Sequence, residues 1–202
     1  MIAAVSGPLL DLARTLPAHG GGATAGSLAG HAFFGAGFLF VGSLLVVETL
    51  AGPVWSRERL RTMAWPAALM LGGAGMLIVA YMQTDQKAVH LTLAILLLLG
   101  GLFEARYRVG DISRAAADAF AIPALIVAGI VVGPMHANAP LFQSAAADTH
   151  LLVGVMGFVL AGIRLTQIRW RPTAALDATF GVGVMALGMS LLIAQQFHAG
   201  HH

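Results

Sequence analysis

Six long apolar stretches, separated by short polar segments, divide the chain. Each is close to the ~20 residues that an α-helix needs to cross a bilayer, and none shows the alternating pattern of a barrel strand. Because only helices and closed barrels satisfy their backbone polar groups in lipid, the pattern predicts an all-α, polytopic membrane protein. The predicted transmembrane helices cover residues 29–51, 64–83, 89–105, 115–134, 149–168 and 175–197.

A histidine heads each odd-numbered span. His31, His90 and His150 open the first, third and fifth apolar stretches, and they lie 59 and 60 residues apart. Near-equal spacing of this kind is typical of a tandem repeat. We therefore predict one six-helix membrane domain, residues 29–198, built from three tandem helical hairpins. The hairpins cover residues 31–89, 90–149 and 150–198, with an interfacial segment before them (1–28) and a histidine-rich tail after them (199–202).

The basic residues predict the orientation. Nine arginines fall in or beside the three loops that join the first span to the second, the third to the fourth and the fifth to the sixth, against only Arg14 and Lys87 on the other side. Loops rich in Lys and Arg stay in the cytoplasm. We therefore expect a bacterial inner-membrane protein with both termini in the periplasm. The nine arginines are Arg57, Arg59, Arg61, Arg106, Arg108, Arg114, Arg164, Arg169 and Arg171.

The composition supports this class and narrows the chemistry. Of the 202 residues, 58% are hydrophobic and only 10% are charged, whereas soluble domains carry about 25% charged residues. The chain has no cysteine, so thiolate metal sites and cysteine nucleophiles are excluded. It also lacks a Ser-His-Asp spacing, an HExxH motif and a nucleotide fingerprint, so a non-catalytic role is favoured over an enzymatic one.

The histidines are the main candidates for chemistry. In the predicted topology all eight lie on the outer side, and three that head the odd spans converge at one depth if the hairpins pack around a common axis. Imidazole binds copper and zinc, and thioethers are soft ligands that suit Cu(I). We therefore predict a transition-metal site, with copper favoured over zinc. Its candidate ligands are His31, His90, His150, His136, His198, Met82 and Met135.

Two other interpretations of the histidines stay open. A haem b held by two of His31, His90 and His150 would make the protein an electron carrier linked to quinone. Histidine is also amphipathic and lies comfortably at a membrane interface, so the protein could equally be a cofactor-free accessory subunit of a larger membrane complex. An absorption spectrum distinguishes the haem, and the metal content distinguishes the copper site from the structural role.

Three charged residues near the inner ends of the odd spans form a second candidate feature. Glu48, Glu104 and Arg164 come 17, 14 and 14 residues after their histidines, which is about 20–25 Å along a helix. Charges at this depth can reach interfacial water, and we expect them to form an ion-paired cluster that holds the hairpins together. The alternative is a proton or cation path from the histidines to these carboxylates.

The architecture resembles small bacterial polytopic membrane proteins that handle copper outside the cytoplasm, namely the copper-resistance D family and the small oxidase-assembly proteins. The resemblance rests on His31, His90 and His150 at outward helix ends, with Met82 and Met135 nearby. It implies import of a metal, its delivery to a partner, or assembly of an oxidase. The partners it implies are a periplasmic metal chaperone or a membrane oxidase or oxidoreductase complex.

Overall fold

The computed structural model describes residues 25–52, 59–82, 87–135, 145–170 and 173–199. These residues form six long helices, and each is long and apolar enough to cross a membrane. For the residues that the structure describes, the prediction of an all-α fold with six helices able to span a membrane is therefore confirmed. The helices are α1 (Ala25–Ala51), α2 (Arg59–Met82), α3 (Lys87–Arg108), α4 (Arg114–Ile130, extended by a π-helical turn at Val131–Met135), α5 (Ala145–Arg169) and α6 (Ala174–Ala199).

Local sequence explains where several helices begin and end. Gly52 ends α1 with a φ of 56°, a left-handed conformation that costs glycine little. Gly110 ends α3 in the same way with a φ of 85°. Ser113 then caps the start of α4, because its hydroxyl accepts a hydrogen bond from the backbone N–H of Ala116 at 3.2 Å. The connection from α3 to α4 is thus a short, tightly specified turn.

The six helices form a closed ring. Each helix packs on the helices before and after it in the chain, and α6 packs on α1. The odd helices begin, and the even helices end, at the end of the bundle that carries His31, His90 and His150, which we call the histidine end. The opposite end carries Arg106, Arg108 and the connection from α3 to α4, and we call it the arginine end.

Glycines allow three of the seams in the ring to close tightly. A Cβ at Gly188 would lie 2.6 Å from the carbonyl oxygen of Gly35, and one at Gly101 would lie 2.6 Å from that of Pro66. At the third seam, a Cβ at Gly154 would lie 2.7 Å from the carbonyl oxygen of Gly129. Small residues let membrane helices approach this closely, and their backbones then gain van der Waals contact.

These seams join α1 to α6, α2 to α3 and α4 to α5. Two of these tight pairs are joined by a loop at the histidine end, and the third closes the ring. The two helices of each predicted hairpin (α1 and α2, α3 and α4, α5 and α6) pack less closely on each other. The tandem repeat itself stays a prediction. The ring of six helices encloses a cavity, and all six helices contribute residues to its lining.

Candidate functional site

Three histidines from three different helices line one cavity at the histidine end. His31, His90 and His150 lie within the first two turns of α1, α3 and α5, and all three are partly buried. The imidazole rings of His31 and His150 are in edge-to-face contact, with their centroids 5.6 Å apart and an interplanar angle of 69°. The ring of helices therefore brings the odd spans together at the depth where the sequence placed their histidines.

The separation of the His31 and His150 rings is compatible with a shared metal. Two imidazoles that ligate one ion through nitrogens at about 2.0–2.1 Å place their ring centroids roughly 5–6 Å apart. His90 lines the same cavity from α3. In the part of the chain that the structure describes, no group of three or more His, Asp or Glu side chains is already arranged as a metal site. The rings of His31 and His150 are thus in contact with each other, and His90, which lines the same cavity, is the candidate for a third ligand.

Of the two methionines predicted as ligands, only Met82 has a side chain that the structure describes. The side chain of Met82 is at the end of α2 and 63% exposed, so it faces away from the cavity. His136 and the side chains of Met135 and His198 lie outside the described part of the structure. Met76, which the sequence analysis passed over, is only 7% exposed and lines the cavity beside the histidines.

A helical pattern in α2 could have identified Met76. The cavity-lining residues of this helix are Trp65, Leu69, Met76 and Val79. Their spacings of 4, 7 and 3 residues place them on one face of a helix. Met82 lies off this face and is exposed. Choosing between the two methionines required knowing which face of α2 turns inward.

The cavity itself has a volume of about 390 Å³, within the range of about 300–1,000 Å³ that is common for ligand sites. All six helices contribute to its walls, which are mainly aliphatic and phenylalanine side chains. It extends from the three histidines to Glu104 and Arg164 near the arginine end. Polar groups therefore lie at its two ends, with an apolar stretch between them.

At the arginine end the charged side chains are paired, and the first pair joins α1 to α3. The guanidinium of Arg108 donates to both carboxylate oxygens of Glu48, at 2.6 and 2.9 Å. It also donates to Glu104 at 3.0 Å and to the backbone carbonyl of Thr62 in α2 at 2.9 Å. The indole N–H of Trp65 donates to Glu48 at 3.1 Å. A two-pronged contact of this kind between arginine and a carboxylate is among the strongest charge-assisted hydrogen bonds.

A second part of the network joins α3, α4 and α5. Arg164 lies 2.8 Å from a carboxylate oxygen of Asp118 and 3.7 Å from one of Glu104. Arg114 donates to the other oxygen of Asp118 at 3.2 Å and lies 3.8 Å from Glu104. Arg164, Glu104 and Asp118 are all buried. An unpaired buried charge is strongly destabilising, so these three groups need the ion pairs that they form.

The network then continues to α6. Arg164 donates to the side-chain oxygen of Gln167 at 3.0 Å, and the amide nitrogen of Gln167 donates to Asp177 at 2.8 Å and to the carbonyl of Leu176 at 3.3 Å. Every one of the six helices therefore supplies at least one group to a single continuous network. The sequence predicted a cluster of Glu48, Glu104 and Arg164. Glu104 does pair with Arg164, but the main partner of Glu48 is Arg108 and that of Arg164 is Asp118.

A second, more polar pocket of about 780 Å³ opens on the far side of this network. Five residues line both this pocket and the apolar cavity, so they form the partition between them. The shared residues are Leu45, Trp65, Glu104, Arg164 and Phe180. The guanidinium of Arg164 lies 5.3 Å from the centre of the Phe180 ring, a cation–π distance. The partition is thus built from paired charges and aromatic rings.

Comparisons with protein-family models, with curated proteins and with solved structures give no match for this chain. The functional argument therefore rests on the chain's own residues and on the arrangement that the ring of six helices gives them.

Proposed function

We propose that this chain is a bacterial inner-membrane protein that binds a transition metal, copper in the first place, through His31, His90 and His150. The bound metal is transported or delivered to a partner. The observation that carries the proposal is the pair of imidazole rings of His31 and His150, 5.6 Å apart, beside a cavity that His90 also lines. Three helices far apart in the sequence contribute one histidine each to one end of one cavity.

The chemistry of the lining favours copper or zinc over harder cations. Magnesium and calcium take oxygen ligands, usually with several carboxylates. The only carboxylate lining the cavity in the described residues is Glu104, which lies at the other end and is paired with arginines. Imidazole nitrogen suits copper and zinc, and the chain has no cysteine to compete for them.

The orientation that we propose puts the histidine end in the periplasm. Support comes from the nine arginines in and beside the loops of the opposite end, because such loops stay in the cytoplasm. The absence of native cysteine allows a direct test. Asp111→Cys, between α3 and α4, should be protected in intact cells from a membrane-impermeant maleimide, whereas Asp85→Cys, between α2 and α3, should react. The reverse pattern would overturn the orientation.

A metal site at the histidine end is accessible from the periplasm in this orientation, so a periplasmic metal chaperone or a membrane oxidase complex can bind beside it. The proposed role is therefore exchange of the ion with such a partner without chemical change. The lack of any hydrolytic or nucleotide-binding motif in the sequence supports this non-catalytic role.

The first experiment is an absorption spectrum with metal analysis on the same purified sample, produced without an added histidine tag. Stoichiometric copper or zinc without a Soret band supports the proposal. His90→Ala should then lose the metal, whereas His19→Ala, which removes a histidine outside the three repeated positions, should retain it. Equal retention in both variants would overturn the shared site. A colourless protein that takes up neither metal would leave the accessory-subunit role.

Haem b is the second candidate, and one observation favours it. The histidines stand at the mouth of an apolar cavity to which all six helices contribute, and a porphyrin needs such a pocket as well as its axial ligands. The same spectrum separates the two candidates. A Soret band with sharp α and β bands on reduction, lost in His31→Ala or His150→Ala, would replace the copper site with a haem.

A further inference from the structure

We infer that Met76 is a ligand of the histidine-end site and that the site selects Cu(I). The inference rests on the proposed metal-binding function and adds to it a residue and an oxidation state. It starts from the inner face of α2, the helix that follows the first histidine-bearing helix in the ring and packs tightly on the second. This helix supplies no histidine to the cavity, but it supplies Met76.

Packing fixes the depth of Met76. It forms a buried cluster with Phe34 of α1 and Ala94 of α3. Phe34 is three residues after His31, and Ala94 is four residues after His90, so both lie about one turn, roughly 5 Å, below a histidine. Met76 therefore packs between the two helices that carry His31 and His90, about one turn further into the bundle than these histidines.

A neighbouring contact fixes the rotation of α2 as well. A Cβ at Gly73 would lie 2.9 Å from the carbonyl oxygen of Ala94, and one at Gly75 would lie 2.9 Å from the ring of Phe33. These two close approaches hold α2 against α3 on one side and α1 on the other. Viewed down the axis of α2, Met76 lies between these two glycines, so the same contacts keep it on the face that lines the cavity.

The charge of the site favours a monovalent ion. Imidazole and thioether ligands are neutral, and in the described residues the only charged groups lining the cavity, Glu104 and Arg164, lie at its opposite end. The cost of placing an ion in apolar surroundings rises with the square of its charge, so Cu(I) is tolerated better than Cu(II) or Zn(II). A soft thioether ligand also selects Cu(I) over these harder ions.

The test uses two methionines of the same helix. Met76→Leu keeps the volume and apolar character of the side chain, so the helix packing should survive. Met82→Leu is the matched control, because Met82 lies six residues further along α2 and is exposed. For each purified variant, Cu(I) affinity is measured anaerobically against a colorimetric Cu(I) chelator, and Zn(II) affinity against a fluorescent zinc chelator. X-ray absorption on the Cu(I)-loaded wild type reports whether sulfur is bound.

We expect Met76→Leu to weaken Cu(I) binding by at least about tenfold while Zn(II) binding changes by less than about twofold, and Met82→Leu to change neither. The wild type should show a sulfur shell that Met76→Leu loses. Tight Cu(I) binding without sulfur, or equal Cu(I) affinity in Met76→Leu and the wild type, would overturn the inference and leave the histidine site standing. A wild type that binds Zn(II) but no Cu(I) would overturn the inference alone, and one that binds neither ion would overturn the proposed function as well. The spectrum of the wild type does not depend on any variant folding correctly.

Discussion

At the histidine end, three imidazole side chains line a cavity with otherwise apolar walls, whereas at the arginine end three guanidinium groups and four carboxylates are joined in one network. Both ends draw on several helices. The difference is in what the polar groups contact. At the arginine end they contact one another across all six helices, and at the histidine end they share their cavity with Met76 and apolar residues.

The contrast follows from charge. A guanidinium or carboxylate buried near lipid must be paired, and pairing across helices fixes how the helices are placed. A neutral imidazole costs less to bury, and its ring nitrogen can serve as a metal ligand. The arginine end thus has the properties of a structural clamp, and the histidine end has those of a binding site. Four predictions test this division, from the largest expected effect to the smallest.

Removing Arg164 should have the largest effect on stability. Arg164→Leu removes the nearest guanidinium partner of Asp118 and one of the partners of Glu104, both of which are buried, and breaking a buried pair in this way costs roughly 3–5 kcal/mol. Unfolding of the protein in detergent micelles measures the loss. Arg106→Leu is the control, because Arg106 pairs with Asp111 at the surface and both side chains are more than half exposed. Equal stability of Arg164→Leu and the wild type would show that these charges are solvated independently.

Copper should stabilise the folded protein through the histidine end alone. At a free Cu(I) concentration 100 times the Kd, binding to the folded state adds about 2.7 kcal/mol. The melting temperature of the wild type should therefore rise on addition of Cu(I), and that of His90→Ala should not. Arg106→Leu, altered only at the far end, should respond as the wild type does. A similar rise in His90→Ala would locate the copper elsewhere.

Forcing one seam apart with an added methyl group should have an intermediate effect on both stability and metal affinity. A methyl group at Gly188 would meet the backbone of Gly35 and Leu39, so Gly188→Ala should cost about 1–3 kcal/mol. Because this seam joins α6 to the helix that carries His31, metal affinity should fall as well. Gly37→Ala is the control, since a methyl group there has no neighbour within 4 Å. Identical melting curves for the two variants would mean that the seam can open without cost.

The smallest effect should come from truncating a histidine in the absence of metal. His90→Ala leaves the ion-paired network of the arginine end unchanged, so we expect its metal-free stability to lie within about 1 kcal/mol of the wild type. The comparison with Arg164→Leu is the sharpest test of the division between the two ends. A loss as large as that of Arg164→Leu would make His90 part of the framework that holds the helices.

Some of the site could be predicted from the sequence because it depends on local patterns. The depth of His31, His90 and His150 follows from their position at the start of an apolar stretch, and no tertiary information is needed for it. The sequence did not single out Met76, for the opposite reason, and Met82 stays a prediction. Both methionines lie near the same end of α2, and only the rotation of that helix in the ring decides which one lines the cavity.

The ion pairs show the same limit. The sequence indicated that Glu48, Glu104 and Arg164 lie at one depth, and the structure has them there in one network. It did not indicate that Asp118 binds Arg164, since an acid in the first turn of a helix is already explained by the helix dipole. Partners across helices depend on which seams close, and the glycines that close them resemble one another in sequence.

The sequence by itself therefore determined the class of protein, the six spans, the alternating direction of the helices and the depth of His31, His90, His150, Glu48, Glu104 and Arg164. These properties depend on the length and polarity of each continuous segment taken separately, because each segment has to match the thickness of the bilayer on its own. Only the tertiary structure decided that the helices close into a ring, that His31 meets His150, that Arg108 binds Glu48 and that Met76 faces the cavity. Those properties depend on the rotation and approach of whole helices, which result from packing among all six.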